Sequence, residues 1–358
     1  MKRNSSKKGE SGKSPARKNA AGKSRNRTGS KSPSAKKNPV GISAAEEQKM
    51  KFLEEYVSKN TWVCIRYFLF LYTLAGWSNV RRFYGENVFA LEAPTSPARA
   101  HITSSHQDIL VEFLLSALLA VGYILGEQNL NRLPLPPPDF FTHKVQLSRF
   151  CRAVFLTRHG NYLQCIHFSV NALRCGLMMV DVSIVPVSVL PVQRALIQKL
   201  TLLTSANAMI CAVLGTTVTV LYLALVVPSP AFQQRHEEVW AASKGTLHLK
   251  RAMHTQHVLG LTAALVDLLF LRRPGICAVA LPPENIWYNG AFILIFASYY
   301  LTLLVFVYHE TGAFPYQFML VLYAKGWSYW FAFVAFLALL VNGFMLLLTF
   351  LVSKTCAL

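Results

Sequence analysis

Residues 162–182 read YLQCIHFSVNALRCGLMMVDV, a largely apolar stretch long enough to cross a bilayer and yet crossed by a stripe of four large polar side chains. The hydrocarbon core of a membrane is about 30 Å thick and takes about 20 helical residues. Gln164, His167, Asn171 and Arg174 follow one another at steps of three, four and three, so a helix gathers them on one face. An ionisable side chain in hydrocarbon costs roughly 2.5–3.5 kcal/mol even on the lenient insertion scales. That face therefore turns toward other helices. Two readings of it stand side by side: interhelical hydrogen bonds that hold a bundle together, worth about 0.6 kcal/mol each, and a buried functional site.

Working outward, four more runs have the length and apolarity of spans, at 109–126, 205–227, 290–309 and 329–352. A sixth run, 254–271, is shorter and more polar, which predicts a helix shielded by the others. A seventh, 61–77, is aromatic and contains Arg66, so it either crosses or lies in the interface. The pattern predicts an all-α fold, a polytopic transmembrane helical bundle of six or seven spans. With 53% hydrophobic and 15% charged residues, the composition excludes an ordinary soluble domain. Prolines punctuate the connections: Pro134, Pro136, Pro137 and Pro138 before residue 140, Pro228 and Pro230 after the third strong run, and Pro282-Pro283 in the loop before the next. Gly215, Gly260 and Gly290 are isolated, none paired with a second glycine at four-residue spacing.

The net charge of +19 is concentrated at the N-terminus. Residues 1–38 hold thirteen Lys or Arg against the single acid Glu10, among Ser, Gly, Asn and Pro. Such a segment buries too little to offset its ordering entropy, and residues 1–45 are predicted to form a disordered basic tail. The tail suits a cytosolic location under the positive-inside rule, and it suits anionic lipid head groups at about 1 kcal/mol per basic residue. No nucleic-acid partner is expected, because interleaved aromatics and a folded reader module are both missing. If 61–77 crosses, loops 127–161 and 229–253, with nine Lys and Arg, share the cytosolic side, which favours seven spans. The chain divides into the tail, a region 46–158 with one or two membrane helices (61–77 and 109–126), and a five-helix core over 159–358. Seven cysteines show no Cys-x-x-Cys pair, which argues against a disulfide framework or a zinc ribbon.

Two further segments carry chemistry. His254 and His257 lie three apart and become neighbours on a helix, a spacing that suits a general-base pair, two metal ligands or a structural pair. The stretch Tyr308-His309-Glu310-Thr311-Gly312-Ala313-Phe314-Pro315-Tyr316-Gln317-Phe318 ends an apolar run. Gly312 and Pro315 demand a non-helical turn there, and the aromatics suit a membrane interface. Glu310 either orients a histidine from another helix or is a solvated residue at a helix exit.

Three of these segments together resemble one family, the androgen-induced and androgen-dependent multi-pass membrane proteins. These are threonine hydrolases of fatty acid esters of hydroxy fatty acids. Residues 308–318 resemble its aromatic-rich Tyr-Phe/His-x-Thr-Gly segment. Met253-His254-Thr255-Gln256-His257, with Asp267 ten residues after His257, is similar to its Asn-His-x-x-His helix with an acid downstream. Gly160-Asn161-Tyr162-Leu163-Gln164, running on to Gly176, resembles the helix that bears its nucleophile. The similarity covers roughly residues 160–352. The resemblance implies a threonine nucleophile and a histidine base inside the membrane, with no cofactor and no resident metal, and it points to the endoplasmic reticulum or plasma membrane. The base maps to His257, with His254 as neighbour or rival.

The nucleophile position maps to Gln164, which has no hydroxyl to deprotonate. Its amide can donate to an oxyanion or hydrogen-bond a histidine. Thr157, Ser169 or Thr311 as stand-ins, and water activated by a histidine with or without a metal on His254, His257 and Glu310, are the alternatives. The resemblance thus implies an intramembrane lipid-ester hydrolase whose partners are membrane lipids and an acyl-chain substrate. His167, Asn171, Glu310, Thr311 and Tyr316 would then contact that substrate. The alternative is a catalytically inactive lipid-binding or scaffold protein.

Overall fold

The computed structural model describes residues 65–77, 106–132, 155–180, 184–228, 230, 257–271 and 283–356. The tail over 1–45, His254 and the proline-rich loop before residue 140 lie outside them. All regular structure among the described residues is helical. Helix α1 covers 65–77, α2 His106–Arg132, α3 Leu156–Met179, α4 Leu190–Leu221, α5 Leu259–Val266, α6 Pro283–Thr311, α7 Gln317–Lys325 and α8 Trp327–Cys356. Wider π turns extend α4 over Tyr222–Val226 and α5 over Asp267–Leu271. Four helices are long and apolar enough to cross a membrane: His106–Gln128, Leu190–Leu225, Asn289–Thr311 and Trp327–Thr355. These features are compatible with an integral membrane protein.

Side-chain contacts fix the direction of each helix. Arg158 on α3 pairs with Glu127 on α2, while Arg174 pairs with Glu112, so the two helices are antiparallel. Gln193 at the start of α4 donates to the Leu177 carbonyl at the end of α3, and Val218 faces Gly160, which makes α4 antiparallel to α3. Gly260 on α5 faces Gly215, and His257 stacks on Tyr222, again antiparallel. Helix α1 runs with α3, since Phe68 meets His159 and Tyr72 meets His167. Helix α6 runs against α3, and α8 against α6. The sense of the chain therefore alternates through α1, α2, α3, α4, α5, α6 and α8.

Helix α4 is the hub. From Thr204 to Thr219 every residue is buried, as expected of a helix whose surface is small or apolar all round. Its Met209, Val213 and Leu214 pack with Phe68, Leu268 and Met345 in the main core cluster. The outer faces of α2, α6 and α8 carry exposed Leu114, Leu118, Ile295, Phe306, Leu339 and Phe350, a surface suited to lipid. Two boundaries differ from the hydropathy reading. Helix α4 begins at Leu190, not 205, because its amphipathic first turns (Gln193, Arg194, Gln198, Lys199) dilute the apolar signal. Pro283 is the first residue of α6 and no loop residue, since a proline at that position forfeits no helical hydrogen bond.

Between α6 and α7 the chain makes the non-helical turn that Gly312 and Pro315 demand. Gly312 has φ +67° and donates its N–H to the Tyr308 carbonyl at 2.7 Å. The Thr311 hydroxyl closes the same turn, donating to the Val307 carbonyl at 2.7 Å and accepting the Ala313 N–H at 3.2 Å. Tyr308, Phe314, Tyr323 and Trp330 cluster beneath it. A Cβ at 312 would meet nothing within 4 Å, so the cost of Gly312→Ala is the left-handed backbone alone. It should destabilise by about 1–2 kcal/mol, visible as a lower thermal midpoint of the detergent-purified protein. Gly343→Ala, on the open face of α8, should hold or raise the midpoint, since alanine is the better helix former and meets nothing there.

Candidate functional site

Helix α3 places the site. Its polar residues recur at helical spacing, and Arg158, His159, Asn161, Gln164, His167, Asn171 and Arg174 are all buried. That polar interior separates α3, at 24 residues, from the four helices apolar enough to cross a membrane.

The centre is His167, with no exposed surface. Its Nε2 lies 2.8 Å from Asp267 Oδ2 on α5, and its Nδ1 lies 2.8 Å from the Tyr72 hydroxyl on α1. With Asp267 ionised the carboxylate only accepts, so Nε2 carries the proton and Nδ1 accepts from the Tyr72 O–H. A carboxylate thereby orients a histidine that is hydrogen-bonded to a hydroxyl, the arrangement by which a base and its orienter activate an oxygen nucleophile. Asp267 is also where α5 widens into a π turn, a distortion common at functional sites. The Asn207 side chain donates to the Tyr72 carbonyl at 2.9 Å and fixes α1 against α4.

One turn before His167, Gln164 donates through Nε2 to the Cys211 carbonyl at 2.6 Å. Its Oε1 is buried and has no hydrogen-bond partner among the described residues. Gln164 packs against the crossing of Gly215 and Gly260, where α4 and α5 meet backbone to backbone. His257 precedes Gly260 by three residues, about 4.5 Å along a helix. It is nearly buried and stacks face to face on Tyr222, ring centroids 3.8 Å apart. Of the two positions singled out by resemblance, Gln164 lies at this crossing and His257 lies against Tyr222, seven residues further along α4.

Toward the other end of α3, Asn171 Nδ2 donates to Ser116 Oγ at 2.7 Å and to Glu112 Oε1 at 3.0 Å. Arg174 Nε donates to Asn171 Oδ1 at 2.9 Å, and its guanidinium pairs with Glu112. This cluster serves as an adhesive between α2 and α3, and its Arg174 also interacts electrostatically with Asp267. At the opposite end, His159 is ringed by Phe68, Phe296 and Tyr300, with centroids 4.7–6.0 Å away.

The segment 308–318 lies apart from His167. Glu310 is exposed, and the Thr311 hydroxyl is engaged in closing its own helix. The Tyr316 hydroxyl accepts the Leu156 N–H at 3.2 Å, beside Tyr300, and so caps the start of α3. Burial pushes the Tyr316 phenol above its ordinary pKa, against the opposing effect of its hydrogen bonds to Tyr300 and Leu156, which keeps it neutral as a cap. The motif reading passed over Tyr72, Glu112, Arg158 and His159. Glu112 and Arg158 carried a usable signal, an ionisable group in or beside an apolar run; Tyr72 carried none.

Among the described residues no group of three His, Cys, Asp or Glu side chains is arranged to hold a metal. Compared with protein-family models, with curated proteins and with solved structures, the chain returns no match in any of the three, and its site is read from geometry and from the motifs themselves.

Proposed function

We propose that the chain is a seven-span membrane protein that hydrolyses an acyl-lipid ester inside its helix bundle, with His167 as the general base. The alternating sense of α1 to α6 and α8 supports seven crossings, because α1, α3 and α5 then traverse beside the four strongly apolar helices. The basic tail and loops 127–161 and 229–253 fall on one side in this arrangement, the cytosolic side by their charge. The tail adds a hold on anionic head groups of that leaflet.

The observation that carries the catalytic reading is the chain from Asp267 through His167 to the Tyr72 hydroxyl, buried where three helices meet. A neutral histidine oriented by a carboxylate is the usual apparatus for moving a proton on and off an ester's oxygens. Tyr72 belongs to an apolar core with Phe68, Leu163 and Leu268, and the resemblance of the α3, α5 and 308–318 motifs supplies the acyl-ester class. A second reading is favoured by one observation: Gln164, at the family's nucleophile position, has no hydroxyl and commits its amide to Cys211. In that reading the bundle binds the lipid and turns nothing over.

The test is hydrolysis of a long-chain acyl ester by the purified protein in liposomes, comparing His167→Asn with His257→Asn. Loss of a general base lowers turnover by roughly 10²–10⁴-fold, and that loss is expected for His167→Asn in protein that still elutes as a folded species. Loss confined to His257→Asn would move the base to the position the resemblance indicates. A wild-type protein that retains lipid without turnover would establish the second reading.

A further inference from the structure

We propose that Tyr72 is the nucleophile of this site, taking the acyl group of a long-chain ester on its phenol oxygen. This rests on the hydrolase reading above and goes beyond it, since that reading leaves the attacking atom unnamed.

The other hydroxyls near the bundle interior are engaged elsewhere or stand apart from His167. Thr204, Thr217 and Thr219 donate to carbonyls of their own helix, at Leu200, Val213 and Gly215. Ser116 accepts the Asn171 amide. Thr311 closes the α6 turn, Ser169 is exposed, and the buried Thr216 and Tyr123 hydroxyls meet no hydrogen-bonding group among the described residues, a histidine included. Of these hydroxyls and Tyr72, the phenol is the one that meets the Nδ1 of His167, while the opposite ring nitrogen meets a carboxylate. A phenol also gives up its proton far more readily than an aliphatic alcohol, so it needs less of the histidine than a threonine would. The ring is held edge-on to His167, and the backbone of Tyr72 is tied to Asn207 on α4.

The chemistry balances without a cofactor. The phenol proton passes to Nδ1 as the oxygen bonds to the ester carbonyl carbon. The tetrahedral intermediate collapses with cleavage of the bond to the alcohol oxygen, which takes the proton from Nδ1 and leaves. Water then attacks the acyl-tyrosine and gives its proton to Nδ1. The phenolate departs and recovers that proton, releasing the fatty acid. The sum is ester plus water to acid plus alcohol. An aryl ester is a more reactive acyl donor than an alkyl ester, so the second half is the faster one with natural substrates. An activated p-nitrophenyl ester is therefore the probe that lets the intermediate accumulate.

The experiment uses full-length protein in liposomes with p-nitrophenyl decanoate, quenched in acid within the first turnovers and digested for mass spectrometry. The expected result is a decanoyl mass on the peptide that contains Tyr72, absent from Tyr72→Phe and from His167→Asn. Steady-state turnover of Tyr72→Phe, which keeps the ring and its packing, should fall at least a hundredfold. Turnover by wild-type protein with no acyl mass on Tyr72, and with Tyr72→Phe near wild-type rate, would overturn the proposal and leave the hydrolase reading standing on activated water. An acyl mass on another residue would assign the nucleophile there. Absence of turnover in the wild-type protein would remove both.

Discussion

Gly215→Ala should lower the thermal midpoint of the detergent-purified protein by several degrees and reduce ester turnover with it. A Cβ at 215 would stand 2.7 Å from the Gly260 carbonyl oxygen and 2.9 Å from its carbonyl carbon, as well as 2.9 Å from Gln164 Nε2. Real Cβ atoms do not approach backbone so closely, and backbone cannot swing aside as a side-chain tip can. Helices α4 and α5 would have to separate. Overpacking of this kind costs about 1–3 kcal/mol, and each kcal/mol moves the midpoint by about 2–4 °C in a domain of 150–250 residues.

The chemical consequence follows from the same geometry. Asp267 lies two turns along α5 from Gly260, so a displaced α5 draws the carboxylate away from His167. Gly260→Ala is expected to do less, because its nearest neighbour is the Gly215 Cα at 3.3 Å. The check is a scan of the two variants by fluorescence-detected size exclusion after heating. The ordering Gly215→Ala below Gly260→Ala below wild type is the predicted result. Equal midpoints would show that α4 and α5 are not packed glycine on glycine.

This crossing also shows what a sequence conceals. Each glycine is the only one in its helix; small residues follow at four-residue spacing, Thr219 after Gly215 and Ala264 after Gly260, but that spacing does not say which two helices meet. The same limit governs the polar face of α3. Its period alone places Gln164, His167, Asn171 and Arg174 on one face, and that face is buried. The period does not say which helices meet it. Asp267 was visible as an acid in an apolar helix, yet its partner proved to be His167. Tyr72 was illegible because a tyrosine in an aromatic run is ordinary, and only the parallel packing of α1 on α3 brings it to the histidine. Thr311 and Tyr316 illustrate the opposite case. Polar groups at a helix exit suit substrate and suit capping equally well, and both proved to satisfy backbone groups.

The alternation of helix direction was legible in part. Seven apolar runs were readable, and each has a helix. The polarity of 162–182 and 254–271 already placed those helices against neighbours; what hydropathy could not convey is which neighbours satisfy their polar side chains. A helix that is poor in apolar surface is acceptable to a membrane protein when its neighbours cover it.

The relay is most exposed to test at Asp267. Asp267→Asn keeps size and shape, and the asparagine amide can donate to Nε2 where the carboxylate accepted from it. The imidazole then takes the opposite tautomer, with its proton on Nδ1, and can no longer accept from the Tyr72 hydroxyl. The corresponding substitution in a carboxylate–histidine–hydroxyl triad costs roughly 10⁴-fold in turnover with geometry intact. The decisive measurement is therefore the rate of long-chain ester hydrolysis by Asp267→Asn in liposomes, beside wild type, in protein matched for thermal midpoint. A loss of about 10³-fold or more is the predicted result, and a rate within a few-fold of wild type would contradict the Asp267–His167 relay as the engine of this site.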